Sequence, residues 1–183
     1  MEAGSPIRHE YANGDIFAMA GASVAGNHVA ANILTHLRTA LRGTPCAAFG
    51  SELRLATPSG LYTYPDVMVI SGPPTLVSGR PDTVTNPALL VEVLSEATRD
   101  YDRGEKLVAY QAIPTLRELL LVEQDAAAVE RIHRTAAGTW LREGGGAAGC
   151  GRASRIGRRP AAARRGLPRG VRRGPDKGPK LTR

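Results

Sequence analysis

Aromatic residues are scarce in this 183-residue chain: one Trp, five Tyr and two Phe make up 4% of it. Stacking of bases on aromatic faces is thereby excluded as its main binding device. Cysteine is scarcer still. Cys46 and Cys150 are too few for a disulfide framework or a cysteine-rich zinc site. Long apolar runs are missing as well. Ala88–Val93 and Leu119–Val122 fall far short of the ~20 apolar residues that span a bilayer. The opening MEAGSPIRHEY has no apolar signal core. The expectation is a reduced, cytoplasmic protein with no membrane role. Its 42% apolar residues are enough to build a core, and one domain is the natural reading at this length.

Acidic residues are missing from one end only. Residues 1–143 carry 12 Lys+Arg and 16 Asp+Glu, a net charge of −4. Residues 144–183 carry 12 Lys+Arg and a single acid, Asp176, a net charge of +11. The formal charge of +7 is thus a property of the last 40 residues. That segment holds 10 Gly, 4 Pro and no aromatic, too little apolar surface to offset its ordering entropy. The expectation is a domain over 1–143 and a disordered basic tail over 144–183.

Two origins fit the tail. A basic arm would bind nucleic acid through phosphate charge. GC-rich coding sequence read out of frame also yields Arg, Gly, Ala and Pro. Arg159–Arg173, RPAAARRGLPRGVRR, permits a back-translation that reads VRLPLAEVYRGVYD when shifted by one base. That is an apolar, helix-forming segment of the kind that ends a domain, and the frameshift is the preferred origin.

The domain itself alternates strand and helix signals. Tyr11–Met19 predicts a hairpin turned at Asn13-Gly14. Ser23 caps a helix that runs to about Arg42, with Ala30, Ile33, Leu34, Leu37 and Leu41 at helical spacing and Gly43 and Pro45 to stop it. Ala47–Thr57 and Leu61–Ser71 read as two strands joined at Pro58-Ser59-Gly60. Residues 75–86 read as a polar loop. Ala88–Leu94 and Glu118–Val122 read as buried strands. A second helix begins near Asp102, where Asp102 and Glu105 have capping-box spacing, and ends before Pro114. Ala128–Arg134 and Thr139–Glu143 predict a closing hairpin around Gly138. The order predicts an α/β fold, a mixed β-sheet flanked by helices.

Carboxylates in apolar strands mark the candidate site. Glu92 interrupts LLVEVL, and a lone buried carboxylate is costly unless it is paired or holds a cation. Asp66 heads YPDVMVI, behind Pro65, which marks a strand start or edge. With a symmetric turn at 58–60, facing residue numbers sum to about 118. Glu52 then lies across from Asp66 on the same face. Such facing charges repel unless a divalent cation sits between them. Lys106 shares an i, i+4, i+8 face with Asp102 and Tyr110.

Two or three carboxylates and a lysine suit metal-assisted phosphodiester hydrolysis. Mg²⁺ takes hard oxygen ligands and keeps several waters. It lowers the pKa of bound water and neutralises charge in the transition state. A nearby lysine can orient the attacking water and bind a phosphate oxygen. Blander roles stand beside these: Asp66 as a turn residue, Glu92 in a buried salt bridge to an arginine such as Arg54, Lys106 in a plain i, i+4 pair with Asp102. His28 and His36, with Asn32 between them, lack a third ligand at suitable spacing and read as helix-face residues. Cys46 reads as a small buried hydrophobe.

The stretches EYANGDIFAMAGAS, His28 with Asn32, GSELRL, GLYTYPDVMVI, NPALLVEVLSEATRDYDRGEKLVAYQAIPTLRELLLV and VERIHR run from His9 to Arg142. Together they resemble the Uma-two family of restriction-endonuclease-like proteins, in the PD-(D/E)XK nuclease superfamily. YPDV, VEVLS and DRGEK in that order are specific as a set. The resemblance implies a restriction-endonuclease-like fold and a Mg²⁺- or Mn²⁺-dependent endonuclease acting on DNA, in a homodimer as is common in similar nucleases. It implies that Asp66 is the motif aspartate and Glu92 the motif glutamate, both on the metal. Leu94 stands where the superfamily motif usually has lysine, and Lys106 matches the lysine that substitutes from the following helix. Glu52 falls at a position that is often acidic and is a further candidate ligand. The chain departs from the family at both ends. Only eight residues precede His9, where relatives usually have another helix. After residue 143 the basic tail stands in place of an apolar segment ending in something like L-x-E-V-Y. Two alternatives accompany the nuclease reading: a non-catalytic nucleic-acid-binding protein that uses the tail, and an inactive, frameshifted family member.

Overall fold

The structure, a computed structural model, describes residues 8–12, 14–19 and 21–144. Of the tail expected to be disordered over 144–183, Gly144 is described as a strand residue and residues 145–183 lie outside the described residues, as does Asn13. Among the described residues no helix is long and apolar enough to cross a membrane.

Strands β1 (His9–Ala12) and β2 (Asp15–Ala18) form the expected hairpin. Ala12 pairs with Asp15, leaving a two-residue turn in which Gly14 has φ of 101°, a backbone that a Cβ would strain. Helix α1 (Val24–Ala40) starts where the sequence places it, with Ser23 Oγ accepting the Gly26 N–H at 2.9 Å. Its apolar stripe of Val29, Ile33, Leu34 and Leu37 packs on Val67, Val91 and Val122.

The two strands expected at 47–57 and 61–71 form an antiparallel hairpin, but each is broken in the middle. β3 (Cys46–Gly50) pairs with β6 (Val67–Ser71), and β4 (Arg54–Ala56) pairs with β5 (Tyr62–Thr63). The breaks at 51–53 and 64–66 carry the hairpin from one sheet into another. Pro65 cannot donate to a ladder and sits in the second break. Leu55 faces Thr63 whereas Gly50 faces Val67, so the register slips by one residue across the breaks.

Two six-stranded mixed sheets result, in place of one. The first runs β2-β1-β5-β4-β8-β7, with β7 (Leu76–Val77) and β8 (Arg80–Val84), and β8 lies parallel to β4. β7 and β8 occupy the stretch expected to be a polar loop. Only Thr83 and Val84 of β8 are buried, so no apolar run announces an edge pair this short. The second sheet runs β12-β11-β10-β9-β6-β3, with β9 (Pro87–Leu94), β10 (Glu118–Glu123), β11 (Val129–Arg134) and β12 (Trp140–Gly144). β9 and β10 are parallel and therefore need a crossover.

The crossover contains two helices where one was expected. α2 (Arg99–Arg103) and α3 (Glu105–Gln111) meet at Gly104, whose φ and ψ are both −106°. Asp102 lies inside α2 and neither helix has a side-chain cap bond, so the predicted capping box does not form. The main core joins Leu55 and Val84 of the first sheet to Met68, Ile70, Leu90, Leu94, Leu119 and Leu121 of the second and to Leu107 and Tyr110 of α3. Alternation along β9 turns Val91 toward α1, and Leu90 and Leu94 toward this core. Glu92 is thereby aimed into the core from between two leucines.

Candidate active site

Glu92 is 4% exposed, so its charge needs partners. Antiparallel pairing of Val67 with Val91 makes Asp66 the next residue opposite Glu92. Asp66 lies at the end of the 64–66 break, where the chain enters the second sheet. Its Oδ2 accepts the Val93 N–H at 2.7 Å. On the other side, Glu92 Oε1 accepts the Tyr110 hydroxyl at 2.5 Å and lies 3.1 Å from Lys106 Nζ. Lys106 Nζ is also 3.3 Å from Asp102 Oδ1 and 3.5 Å from Glu10 Oε1. Glu10 is fixed in turn by the Thr63 hydroxyl, which donates to its Oε1, and by the Tyr101 side chain.

Three carboxylates thus contact one ammonium, and a fourth, Asp66, lies near enough to feel its charge. Burial pushes the Glu92 carboxyl up to about 8; Lys106 pulls it down, while the charges of Asp66 and Asp102 add to the rise. Burial also raises Asp66, against the opposing pull of the Val93 N–H and of Lys106. Burial disfavours the Lys106 ammonium, yet Glu92 above all, with Tyr110, Glu10 and Asp102, holds it well above the ordinary lysine range. The lysine is a cation. Burial and the Glu92 charge keep the Tyr110 phenol protonated, so it serves as a donor.

Asp66, Glu92 and Lys106, singled out from the sequence, are brought together. Glu52 is not among them. It lies in the 51–53 break with its side chain 88% exposed, and it pairs with Arg8 Nη1 at 3.1 Å. The facing of Glu52 and Asp66 expected from an unbroken hairpin is lost at the break. Arg54 pairs with Asp82 at 3.2 Å and with the Thr83 hydroxyl rather than with Glu92. The i, i+4 pair of Lys106 with Asp102 exists, as one of three contacts. His28, Asn32 and His36 are exposed on α1, and Cys46 is only partly buried. Glu10 and Thr63 were missed. Glu10 stands next to the Asn-Gly hairpin signal, which says nothing of what the strand packs against.

The donors suit a hard cation. Among the described residues no three His, Cys, Asp or Glu side chains converge as a ligand set. The adjacent Asp66 and Glu92 carboxylates, within a cluster of surplus negative charge, match the one or two carboxylates through which Mg²⁺ binds while keeping several waters.

The Uma2 family model, described as "Putative restriction endonuclease", matches residues 1–147. The chain belongs to the Uma2 family. Two uncharacterized proteins of Synechocystis sp., sll1609 and slr1290, are each 35% identical to this Uma2 chain over 135 residues. Those residues cover 73% of the chain, 76% of the first relative and 70% of the second. A crystal structure from Anabaena variabilis, titled "a putative nuclease belonging to DUF820", superposes with a TM-score of 0.62 at 15% identity. The superposition covers 76% of this chain and 77% of that one. At that identity the likeness shows a shared fold, and the Uma2 chain has the α/β architecture of this neighbour.

Proposed function

We propose that this Uma2 chain is a Mg²⁺- or Mn²⁺-dependent endonuclease that hydrolyses phosphodiester bonds in DNA. The observation that carries the reading is Asp66, just before β6 and bonded to the Val93 N–H, beside Glu92 of β9, with Lys106 Nζ 3.1 Å from Glu92. The two carboxylates would hold the cation. Bound there, it would supply a water of lowered pKa and neutralise charge at the phosphorus. Lys106 orients the attacking water and offers an N–H to a phosphate oxygen. Tyr110 fixes the Glu92 carboxylate, and the Val93 N–H fixes that of Asp66. The apolar wall of Leu90, Leu94 and Leu107 excludes bulk water and strengthens each of these contacts. The net charge of −4 over residues 1–143 gives DNA no long-range attraction to the domain.

The test is calorimetric titration of Mg²⁺ and Mn²⁺ into the wild type, Asp66→Ala and Glu92→Ala, beside plasmid cleavage by the same samples. Binding and cleavage in the wild type, both lost in the two variants, are expected. A folded wild type that binds neither ion overturns the reading.

A further inference from the structure

The Lys106 ammonium has three N–H donors and no acceptor. It meets three carboxylates from three elements: Glu92 of β9 at 3.1 Å, Asp102 of α2 at 3.3 Å and Glu10 of β1 at 3.5 Å. These contacts differ in what they can do. Asp102 is four residues away in the chain, on the short helix that ends at Gly104. Glu92 belongs to the second sheet and is half of the carboxylate pair. Glu10 is the contact that ties the lysine to the first sheet. It is itself held rigidly, by the Thr63 hydroxyl of the neighbouring strand β5 and by Tyr101, and is 8% exposed.

A lysine stem has many rotamers and about 2 kcal/mol of conformational entropy to lose. Without Glu10, the ammonium would settle between Glu92 and Asp102. Its place along that line would no longer be fixed from the first sheet. We propose that Glu10 is a positioning residue: it ties the Lys106 ammonium to the first sheet, fixes where it stands beside Glu92, and so aims it at the attacking water. This role rests on the reading of Lys106 as the group that assists that water.

The chain has three lysines, Lys106, Lys177 and Lys180, which suits direct observation of the ammonium groups. In full-length protein labelled with ¹⁵N-lysine, Lys106 is expected to give a resonance that exchanges slowly with water and is lost in Lys106→Met. Glu10→Gln keeps the shape of the side chain and drops its charge. It should shift that resonance and speed its exchange by about tenfold to a hundredfold, the scale of a charged hydrogen bond. An unchanged resonance overturns the proposal. In plasmid cleavage, Glu10→Gln should lower kcat by about 10²-fold with KM for DNA unchanged. It should add nothing to Lys106→Met, because a residue that acts through the lysine has no effect once the lysine is gone. A multiplied loss, or a change in KM alone, overturns the proposal. Glu10→Asp keeps the charge and shortens the reach by one methylene. It carries the same measurements if Glu10→Gln fails to fold, and full activity in it would show that charge matters and position does not. If the wild type cuts no DNA, the nuclease reading fails, and the ammonium resonance still decides whether Glu10 holds Lys106.

Discussion

The Tyr110 hydroxyl and the Glu92 carboxylate meet at 2.5 Å where α3 packs on the second sheet, and both side chains are buried. The ring of Tyr110 belongs to the apolar core while its oxygen belongs to the site. Tyr110→Phe therefore separates packing from polarity. The phenyl ring keeps the packing, and the variant loses a hydrogen bond to a buried carboxyl, worth about 1 kcal/mol while that carboxyl is protonated and about 1.5–3 kcal/mol once it is charged. Urea denaturation should show a lower midpoint at an unchanged slope. An unchanged midpoint would mean that Glu92 is satisfied without the tyrosine.

The raised Glu92 carboxyl sets a pH dependence. Its pKa is about 8 in the folded protein against the ordinary 4.5, so between those values the folded state holds a proton that the unfolded state has released. Stability from this group is complete below about pH 4.5 and is lost as the pH climbs through about 8. In the absence of divalent cations, the melting temperature of the wild type should fall across that window relative to Glu92→Gln, which has no proton to lose there. Parallel curves for the two proteins would place the Glu92 carboxyl in the ordinary range.

Among the described residues, Lys106 is the cation that meets Glu10, Glu92 and Asp102 together. Lys106→Met keeps most of the stem and removes the charge. Leaving buried carboxylates without their partner costs about 3–5 kcal/mol. The cost should be larger at pH 8 than at pH 5, since at low pH a carboxyl can take a proton instead. Mn²⁺ should restore part of the loss by occupying the Asp66 and Glu92 side of the cluster. Chemical denaturation at the two pH values, with and without Mn²⁺, measures all three terms. A stable metal-free variant at pH 8 would show that the carboxylates need no cation.

Legibility of the site in the sequence tracked the apolar context of each residue. Glu92 and Asp66 stand out because they interrupt runs of β-branched and aliphatic residues, where a charge is conspicuous. Lys106 was reached by helical spacing from Asp102 and by the family resemblance. Glu10 interrupts no such run. Its strand is four residues long, and its burial follows from docking beside Thr63, a long-range contact that no local pattern encodes. Glu52 was misplaced for a different reason. Ladder counting assumed two unbroken strands, while the chain breaks at 51–53 and at Pro65 to change sheets, and one residue of slip reassigns every facing pair beyond it. The family resemblance and the periodicity both pointed to an α/β fold with a mixed sheet, and neither revealed that one hairpin serves two sheets.

The out-of-frame reading of the basic tail makes its own prediction. The family match ends at residue 147, within a few residues of where the composition changes. Leu141 pairs with His133 on β12 and β11, which puts it on the same face as Val129, opposite the core residue Ile132. Val129 and Leu141 are 47% and 49% exposed, apolar surface that a following segment could cover. A chain whose gene is shifted by one base near the codons of Gly144–Gly151 would end in a segment such as LPLAEVY in place of the Arg- and Gly-rich one. That chain should melt about 2–4 °C higher for each kcal/mol of apolar contact it gains, and should aggregate less. The present chain cut after residue 147 should melt at the same temperature as the full chain, because out-of-frame residues have no selected contacts. Genes of close relatives that encode the same basic stretch in the same frame would defeat this reading, and so would a clear loss of stability on cutting it away. Either result would instead favour a selected arm, whose +11 charge would then be measured by the salt dependence of DNA binding.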